Sequence, residues 1–133
     1  MITRKASLLD MAKLIEIVPE LELLHWLQSS RDSIFHQTLV TIHNKKVIAG
    51  SFSLFNPETN TVMVLGIFNT TTDDAVPQYV LNKIPSYFKQ DGLVATKLIA
   101  NGPKEKLKFF EDAGFVPVSF VVTKELTVKD GDK

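Results

Sequence analysis

Three consecutive segments with strand periodicity lie between stretches with helical spacing. The strand-like segments cover residues 34–43, 47–55 and 61–68. Turns separate them at 43–46 and at Asn56-Pro57-Glu58-Thr59-Asn60, where proline and asparagine favour a hairpin loop. Because short connections join antiparallel neighbours, the pattern predicts a meander and restricts the chain to mixed α and β structure. The third segment is almost wholly apolar, which is typical of a strand covered on both faces.

The segment before the meander predicts a short edge strand followed by two helices. Apolar residues recur at helical spacing over 8–18, and Ser7 with Asp10 has the spacing of a capping box at the start. Pro19 ends this helix and can sit in the first turn of a second one, at about 20–30. The second helix is apolar around most of its circumference, and such a helix is usually buried or covered by a partner.

The segment after the meander alternates helices and strands. The predicted elements are a polar loop, a helix, a short strand, a helix and a final strand at 69–77, 78–90, 96–100, 104–112 and 116–128. Pro85 should kink or restart its helix, and Ala113-Gly114 predicts a helix C-cap. The whole order is β-α-α-β-β-β-α-β-α-β. It predicts an α+β fold with a central mixed sheet and helices on both faces.

Composition narrows the functional classes. The 133 residues carry 15 basic and 15 acidic side chains, and the two signs balance within each half of the chain (six of each in 1–66 and nine of each in 67–133), which argues against nucleic-acid binding by phosphate neutralisation. Absence of cysteine excludes disulfides, thiolate metal sites and cysteine nucleophiles. No apolar run approaches a membrane span, and no signal peptide is recognisable. We therefore expect a cytoplasmic protein with one domain at 1–127 and a charged, disordered tail at 128–133.

The histidines and serines form no recognisable metal or hydrolase motif. His36 and His43 are seven residues apart on one strand and so point to opposite faces, and we expect no metal site. Ser51 and Ser53 lack the glycine-flanked turn of a hydrolase nucleophile. His36 shares a face with apolar residues, and it is either a core histidine or a base in a cleft.

The most specific motif is Phe109-Phe110-Glu111-Asp112-Ala113-Gly114-Phe115, near the end of the chain. With the element order over 1–127, and with Thr3-Arg4-Lys5-Ala6 and Asp10 at the start, it resembles the GNAT superfamily of acyl-CoA-dependent N-acetyltransferases. The resemblance implies acetyl transfer from acetyl-CoA to a small-molecule or peptide amine. It also implies direct attack on the thioester, with the meander-strand backbone polarising its carbonyl.

The resemblance implies two backbone segments for cofactor binding. In the family, the strand after the hairpin offers backbone groups to pantetheine, and here these would be Leu65, Gly66, Ile67 and Phe68. Gly66 inside a strand suggests a bulge or a close backbone approach, with a packing or twist requirement as the alternative. The second segment is the glycine-containing loop whose amides bind pyrophosphate, which corresponds to Thr72-Asp73-Asp74-Ala75-Val76-Pro77.

This loop departs from the family pattern. It contains neither glycine nor arginine, and Asp73 and Asp74 would repel a pyrophosphate. Three interpretations stay open for these carboxylates: helix N-caps, a rearranged CoA loop that includes Ala75 and Val76, or a cation site.

The family's catalytic side chains are also missing. Phe110 stands where the family has a proton-donating tyrosine, and it is predicted to belong to the core. Tyr79 is a weak alternative acid. Asn101 would lie near the CoA arm or serve as a helix N-cap. The lysines that follow it either form a solvated face or reach the 3′-phosphate of CoA: Lys104, Lys106 and Lys108.

Two functions are consistent with the sequence. The first is an acetyl-CoA-dependent N-acetyltransferase, and the second is a catalytically inactive binding or interaction protein on the same scaffold. The apolar helix at 20–30 and the short C-terminal region are compatible with a homodimer.

Overall fold

The computed structural model describes residues 1–17, 26, 33–100, 104–117 and 124. In this part of the chain, five strands form one sheet: β1 (Ile2–Lys5), β2 (His36–His43), β3 (Lys46–Asn56), β4 (Thr61–Asn69) and β5 (Lys97–Ala100). The accompanying helices are α1 (Leu8–Ile17), α2 (Ala75–Gln90) and α3 (Leu107–Asp112), the last preceded by a 3-10 turn at Lys104–Lys106. The predicted strands of this region are confirmed, with boundaries that differ by at most two residues.

The sheet follows the order of the chain from β1 to β5. The first four strands pair antiparallel, and β4 pairs with β5 in parallel, so the predicted mixed sheet is confirmed. Two positive-φ residues, Asn44 and Lys45, make the β2–β3 turn, and Asn60 has the same conformation at the β3–β4 hairpin. The backbone amide and the hydroxyl of Thr96 donate to the carbonyl of Asn60, which ties the start of β5 to that hairpin.

The two faces of the sheet are covered by different helices, as predicted. On one face, α2 packs its buried residues against the strands: Val76, Val80, Leu81, Ile84 and Phe88 against Leu39, Ala49, Phe55, Val62 and Val64. On the opposite face, Leu14 of α1 packs against Val40 and Val47. Since Leu39 and Val40 are neighbours on β2, the alternation of side chains along a strand separates these two cores. The α3 aromatics pack on the α2 side.

Helix α1 begins with the predicted capping box. The amide of Ser7 donates to Asp10 Oδ2 at 2.8 Å, and the amide of Asp10 donates to Ser7 Oγ at 3.3 Å. The Arg4 guanidinium also donates to both oxygens of the buried Asp10 carboxylate. Burial alone would raise the pKa of Asp10, but its hydrogen bonds with Arg4 and Ser7 outweigh burial and lower it below 3.8.

Helix α2 begins three residues earlier than the predicted start at 78. Its first turn contains Pro77, which the sequence pattern placed in the preceding loop. Proline is tolerated there because the amides of a first helical turn have no partner within the helix. The helix continues through Pro85 to Gln90, and Gly92 with φ of 80° ends it.

The end of the described chain confirms the predicted C-cap. Gly114 has φ of 93°, and the amides of Gly114 and Phe115 donate to the carbonyls of Glu111 and Phe110. The predicted helix at 20–30, apart from Trp26, lies outside the described residues. So does most of the final strand at 116–128, and the complete predicted element order is therefore not confirmed. None of the helices that the structure describes has the length and hydrophobicity needed to span a membrane.

Candidate functional site

Strands β4 and β5 pair over only half the length of β4. Their parallel register runs from Thr61 opposite Lys97 to Val64 opposite Ala100. Beyond Val64, β4 continues for five residues to Asn69 and stays paired with β3 on its other side. Within the described residues, this second half of β4 therefore has an edge with no strand partner. An unpaired strand edge presents backbone amides and carbonyls to a ligand.

A β-bulge marks the point where the strands separate. Phe52 pairs with Gly66 and Ser53 with Val64, so Leu65 is the extra residue on β4. The bulge that Gly66 suggested is therefore present at this place. Gly66 has no positive φ, and a Cβ there would lie 3.4 Å from the Phe52 ring, an ordinary contact distance, so neither backbone strain nor a clash requires glycine at this position.

The expectation that β4 is covered on both faces is wrong. Met63 is 39% exposed and Leu65 is 49% exposed, whereas Val62 and Val64, which alternate with them along the strand, are buried. The apolar run thus has one covered face and one face that is partly open. The four predicted pantetheine-binding residues, Leu65 to Phe68, lie along the unpartnered edge.

Gly50 of β3 allows close packing against the second half of β4. A Cβ at Gly50 would lie 2.2 Å from the Leu39 carbonyl oxygen and 2.5 Å from the Phe68 ring. The Phe68 ring therefore lies directly on the β3 backbone, and only glycine leaves room for it.

The loop after β4 is held by its own side chains. The amide of Thr71 donates to Asn69 Oδ1 at 3.0 Å, and the amide of Asp73 donates to Thr71 Oγ1 at 3.2 Å. The amide of Thr70 donates to the carbonyl of Ile48 at 2.8 Å. These bonds occupy the amides of Thr70, Thr71 and Asp73.

The N-terminus of α2 is closed in the same way. Asp73 Oδ1 accepts from the amide of Ala75 at 2.9 Å, and the Asp73 carbonyl accepts from the amide of Val76 at 3.3 Å. Pro77 has no amide hydrogen, and the amide of Gln78 bonds to the Asp74 carbonyl. The first-turn donors that bind a phosphate in other helices are therefore occupied by Asp73 or absent. Of the three interpretations of the acidic pair, the structure places Asp73 as a cap, whereas Asp74 makes no side-chain capping bond.

A cavity of about 340 Å³ opens beside the first half of β4. Its lining includes His36, Leu54 and Met63, which face one another across β2, β3 and β4. Aromatic and polar residues complete it: Ser33, Phe35, Phe55, Asn56, Pro57 and Thr61. His36 Nδ1 is buried and has no hydrogen-bond partner in the described structure, while the His36 ring lies 4.9 Å from that of Trp26. The cavity therefore has a mainly apolar lining that includes His36, a residue with one buried and unsatisfied ring nitrogen.

The two weak catalytic candidates lie on opposite faces of the sheet. His36 packs with Trp26 on the α1 face, whereas Tyr79 belongs to α2 on the other face. Tyr79 is partly exposed, and Lys83 Nζ lies 5.1 Å from the centre of its ring. A single reacting atom cannot be reached by both side chains, so they do not form an acid–base pair.

The remaining predicted residues follow β5 in the chain. Phe110 is half-buried between Phe109 and Phe115, each with ring centroids 5.3 Å away, in a packing role. Lys106 and Lys108 are exposed. Asn101 lies outside the described residues.

Two features of the site were missed in the sequence. The hydrogen bonds of Asn69 and Thr71 close the loop, and the signal for them was an asparagine two residues before a threonine at a strand end. The cavity wall formed by Leu54 and Met63 has no local signal, because it depends on the pairing register of two strands.

Comparison with solved structures identifies the class of fold. A transcriptional regulator from Bacillus halodurans C-125 is similar over 94% of this chain and 99% of its own, with a TM-score of 0.76 at 10% identity. Glucosamine-6-phosphate N-acetyltransferase from Arabidopsis thaliana matches with a TM-score of 0.72 at 17% identity, over 95% of this chain and 98% of its own. An aminoglycoside N-acetyltransferase in complex with CoA matches with a TM-score of 0.70 at 11% identity, over 96% of this chain and 100% of its own.

These likenesses show that the chain has the fold of the GNAT acetyltransferases, and they confirm the resemblance seen in the sequence at the level of the fold. No protein-family model matches the chain, and no curated protein sequence matches it either.

Proposed function

We propose that this protein is an N-acetyltransferase that transfers an acetyl group from acetyl-CoA to an amine. The observation that supports this function is the unpartnered edge of β4, which begins at the Leu65 bulge and extends to Asn69. Pantetheine is an extended chain with two amide groups, and such a chain pairs with a strand edge through backbone hydrogen bonds. The bulge lets the backbone groups of Leu65 and Gly66 approach the acyl carbonyl.

The residues present fit only part of acetyl-CoA. The acylated arm of the cofactor has a place along β4. The pyrophosphate lacks its usual binding site at a helix N-terminus, because Asp73 occupies the first-turn amides of α2 and Asp74 adds a second negative charge beside them. Acetyl-CoA supplies the acetyl group, and the chain's own contribution is to bind and orient the thioester arm.

The cavity beside Met63 and His36 is the proposed place for the amine. Met63 is two residues from the bulge, so the cavity lies about 7 Å along the strand from the proposed acyl position. His36 is two strands away from β4, at about 10 Å, and it would act on the amine through water. A carboxylate does not contribute to the described lining, so we infer that the acceptor presents an apolar group to this cavity.

A specific observation favours a second candidate, a non-catalytic binding protein. The self-capped loop at Asn69–Asp74 and the packing role of Phe110 remove the two features by which the family binds pyrophosphate and protonates the thiolate. On this alternative the β4 edge and the cavity would bind a ligand or a protein segment without chemistry.

Release of CoA thiol distinguishes the two candidates. Since the chain contains no cysteine, a thiol reagent reports only the CoA that transfer releases. The assay would offer acetyl-CoA with a panel of aromatic and aliphatic amines, and with glucosamine 6-phosphate and an aminoglycoside as acceptors of the structural relatives. Amine-dependent thiol release supports the transferase. No release with any amine, together with no change of melting temperature at millimolar acetyl-CoA, would contradict it.

A matched pair of variants tests the cavity. His36→Asn should lower amine-dependent release by roughly a hundredfold if His36 accepts the proton of the amine. His43→Asn is the control, because His43 lies at the exposed end of the same strand. Equal activity of the two variants would remove His36 from the mechanism.

A further inference from the structure

We infer that this protein recognises its acyl donor by the acyl-pantetheine arm alone and does not recognise the 3′-phospho-ADP part of CoA. The inference rests on the proposed function and adds the chemical class of the donor. Any acyl-pantetheine thioester, whether free, part of CoA or attached to a larger carrier, would then be an equivalent substrate.

The first observation is the length of the open edge. The five residues from Leu65 to Asn69 span about 17 Å at the rise of a strand, which is enough for an extended pantetheine arm. Pairing with β3 holds this segment in place on one side, and the Phe68 ring rests on Gly50. The binding edge is therefore preformed, and its backbone groups do not depend on particular side chains.

The second observation concerns the N-terminus of α2, where a pyrophosphate would bind. Ala75 and Val76 donate to Asp73, and Pro77 has no donor to offer. A pyrophosphate would have to displace the Asp73 carboxylate before the amide of Ala75 became free, and the Val76 amide is bonded to the Asp73 carbonyl. The helix dipole that would attract the pyrophosphate already interacts with that carboxylate.

The third observation is the charge on the loop. Asp73 and Asp74 are both exposed, so their carboxylates face the solvent through which the CoA phosphates would approach. Repulsion between these groups opposes the docking of a pyrophosphate. The pantetheine arm is uncharged and is not affected by it.

Lys106 and Lys108 are exposed cations of the kind that could offset this repulsion. Both follow β5 in the chain, and β5 runs parallel to β4, the strand that leads to the β4–α2 loop. If they held the 3′-phosphate, removing them would weaken acetyl-CoA binding. The inference predicts that the double variant K106A/K108A binds acetyl-CoA as the wild type does.

The bond changes are those of any thioester aminolysis. The carbon–nitrogen bond to the amine forms, the carbon–sulfur bond breaks, and the proton lost by the amine ends on the leaving thiolate. The products are an amide and a free pantetheine thiol, and no further reactant is needed. None of these changes involves the nucleotide.

The test compares dissociation constants by calorimetry for acetyl-CoA and S-acetyl-pantetheine, with adenosine 3′,5′-bisphosphate as competitor. We expect the two constants to agree within roughly threefold and the bisphosphate not to compete. If acetyl-CoA binds more than about thirtyfold tighter, the inference is wrong while the proposed function stands. If neither thioester binds at millimolar concentration, both are wrong.

A charge variant of the loop gives an independent readout. Asn can keep the capping geometry of Asp73 while removing its charge, so the double variant D73N/D74N should fold normally. Because the cap still occupies the Ala75 amide, its affinity for acetyl-CoA should rise by no more than roughly threefold, to that of S-acetyl-pantetheine, whose affinity should not change. The control is Glu58→Gln, which removes an exposed charge from the β3–β4 hairpin at the opposite end of β4. A rise of more than about tenfold for acetyl-CoA alone, or an equal rise for both thioesters, would contradict the inference.

Discussion

The second half of β4 and the first turn of α2 are joined by only five residues. The described edge of β4 has no strand partner for its backbone groups, whereas the amides of the α2 turn are hydrogen-bonded to Asp73. On β4, the edge is open within the described part of the chain, where β5 pairs only with the first half of the strand. On α2, the amides are occupied because Asp73 lies where it can cap them. The comparison shows that a binding site made of backbone groups depends on which amides and carbonyls the neighbouring residues leave without a hydrogen-bond partner.

The largest predicted effect concerns the support beneath the open edge. Gly50→Ala would place a methyl group 2.2 Å from the Leu39 carbonyl oxygen and against the Phe68 ring. The ring and both strands would have to move, so we expect the free energy of unfolding to fall by about 3 kcal/mol. Urea denaturation measures this change. A loss below about 1 kcal/mol would mean that the strands adjust easily and that the edge is not rigid.

The next largest effect concerns α1, which, like α2, has an aspartate carboxylate as its N-terminal cap. The pKa of Asp10 is lowered, so its stabilising contribution is complete above the unfolded pKa near 3.8 and is lost as the pH falls through the folded value. Asp10→Ala should cost about 2 kcal/mol at pH 7, because it removes both the capping box and the partner of Arg4.

The pH dependence checks the cause. In the wild type, stability should fall with acidification below about pH 5, and Asp10→Asn should flatten that fall. Chemical denaturation at several pH values measures it. If the free energy of unfolding of Asp10→Asn falls with acidification as steeply as that of the wild type, other carboxylates cause the loss of stability in acid.

A smaller effect separates the two aspartates of the loop. Asp73→Ala should lower the free energy of unfolding by about 1 kcal/mol, because the amide of Ala75 loses its acceptor. Asp74→Ala removes no capping bond and should change it by less than about 0.5 kcal/mol. Thermal denaturation of the two variants side by side is the measurement. Equal effects would mean that the cap is not where the structure places it.

The smallest effect concerns the bulge itself. At Gly66 an added methyl group would meet only the Phe52 ring, at 3.4 Å, and the backbone has no positive φ. We expect Gly66→Ala to change the free energy of unfolding by less than about 1 kcal/mol. Denaturation in parallel with Gly50→Ala gives a direct comparison. A loss as large as that of Gly50→Ala would mean that the bulge requires glycine.

The sequence predicted those features that depend on neighbouring residues. The capping box of Ser7 and Asp10 and the glycine C-cap at Gly114 follow from short-range geometry, and a bulge was one of the alternatives that Gly66 suggested. The five described strands were also found, because their period of two is a local property.

Features that depend on distant residues were wrong or missed. The apolar run of β4 does not reveal which face is covered, since that depends on the helices that pack on the sheet and on the pairing register. The start of α2 was placed too late, because Pro77 was interpreted as a loop residue although a first helical turn accepts it. Arg4 was not expected to contact Asp10, because the ion pair depends on how β1 enters α1.

A backbone-amide NMR titration with acetyl-CoA tests the central claim most directly. The account predicts chemical-shift changes at Leu65–Asn69, along the open edge of β4, and unchanged amides at Ala75 and Val76, which stay bonded to Asp73. Changes centred on Ala75 and Val76, with β4 unaffected, would contradict it, because the cofactor would then bind at the very turn that the structure shows to be closed.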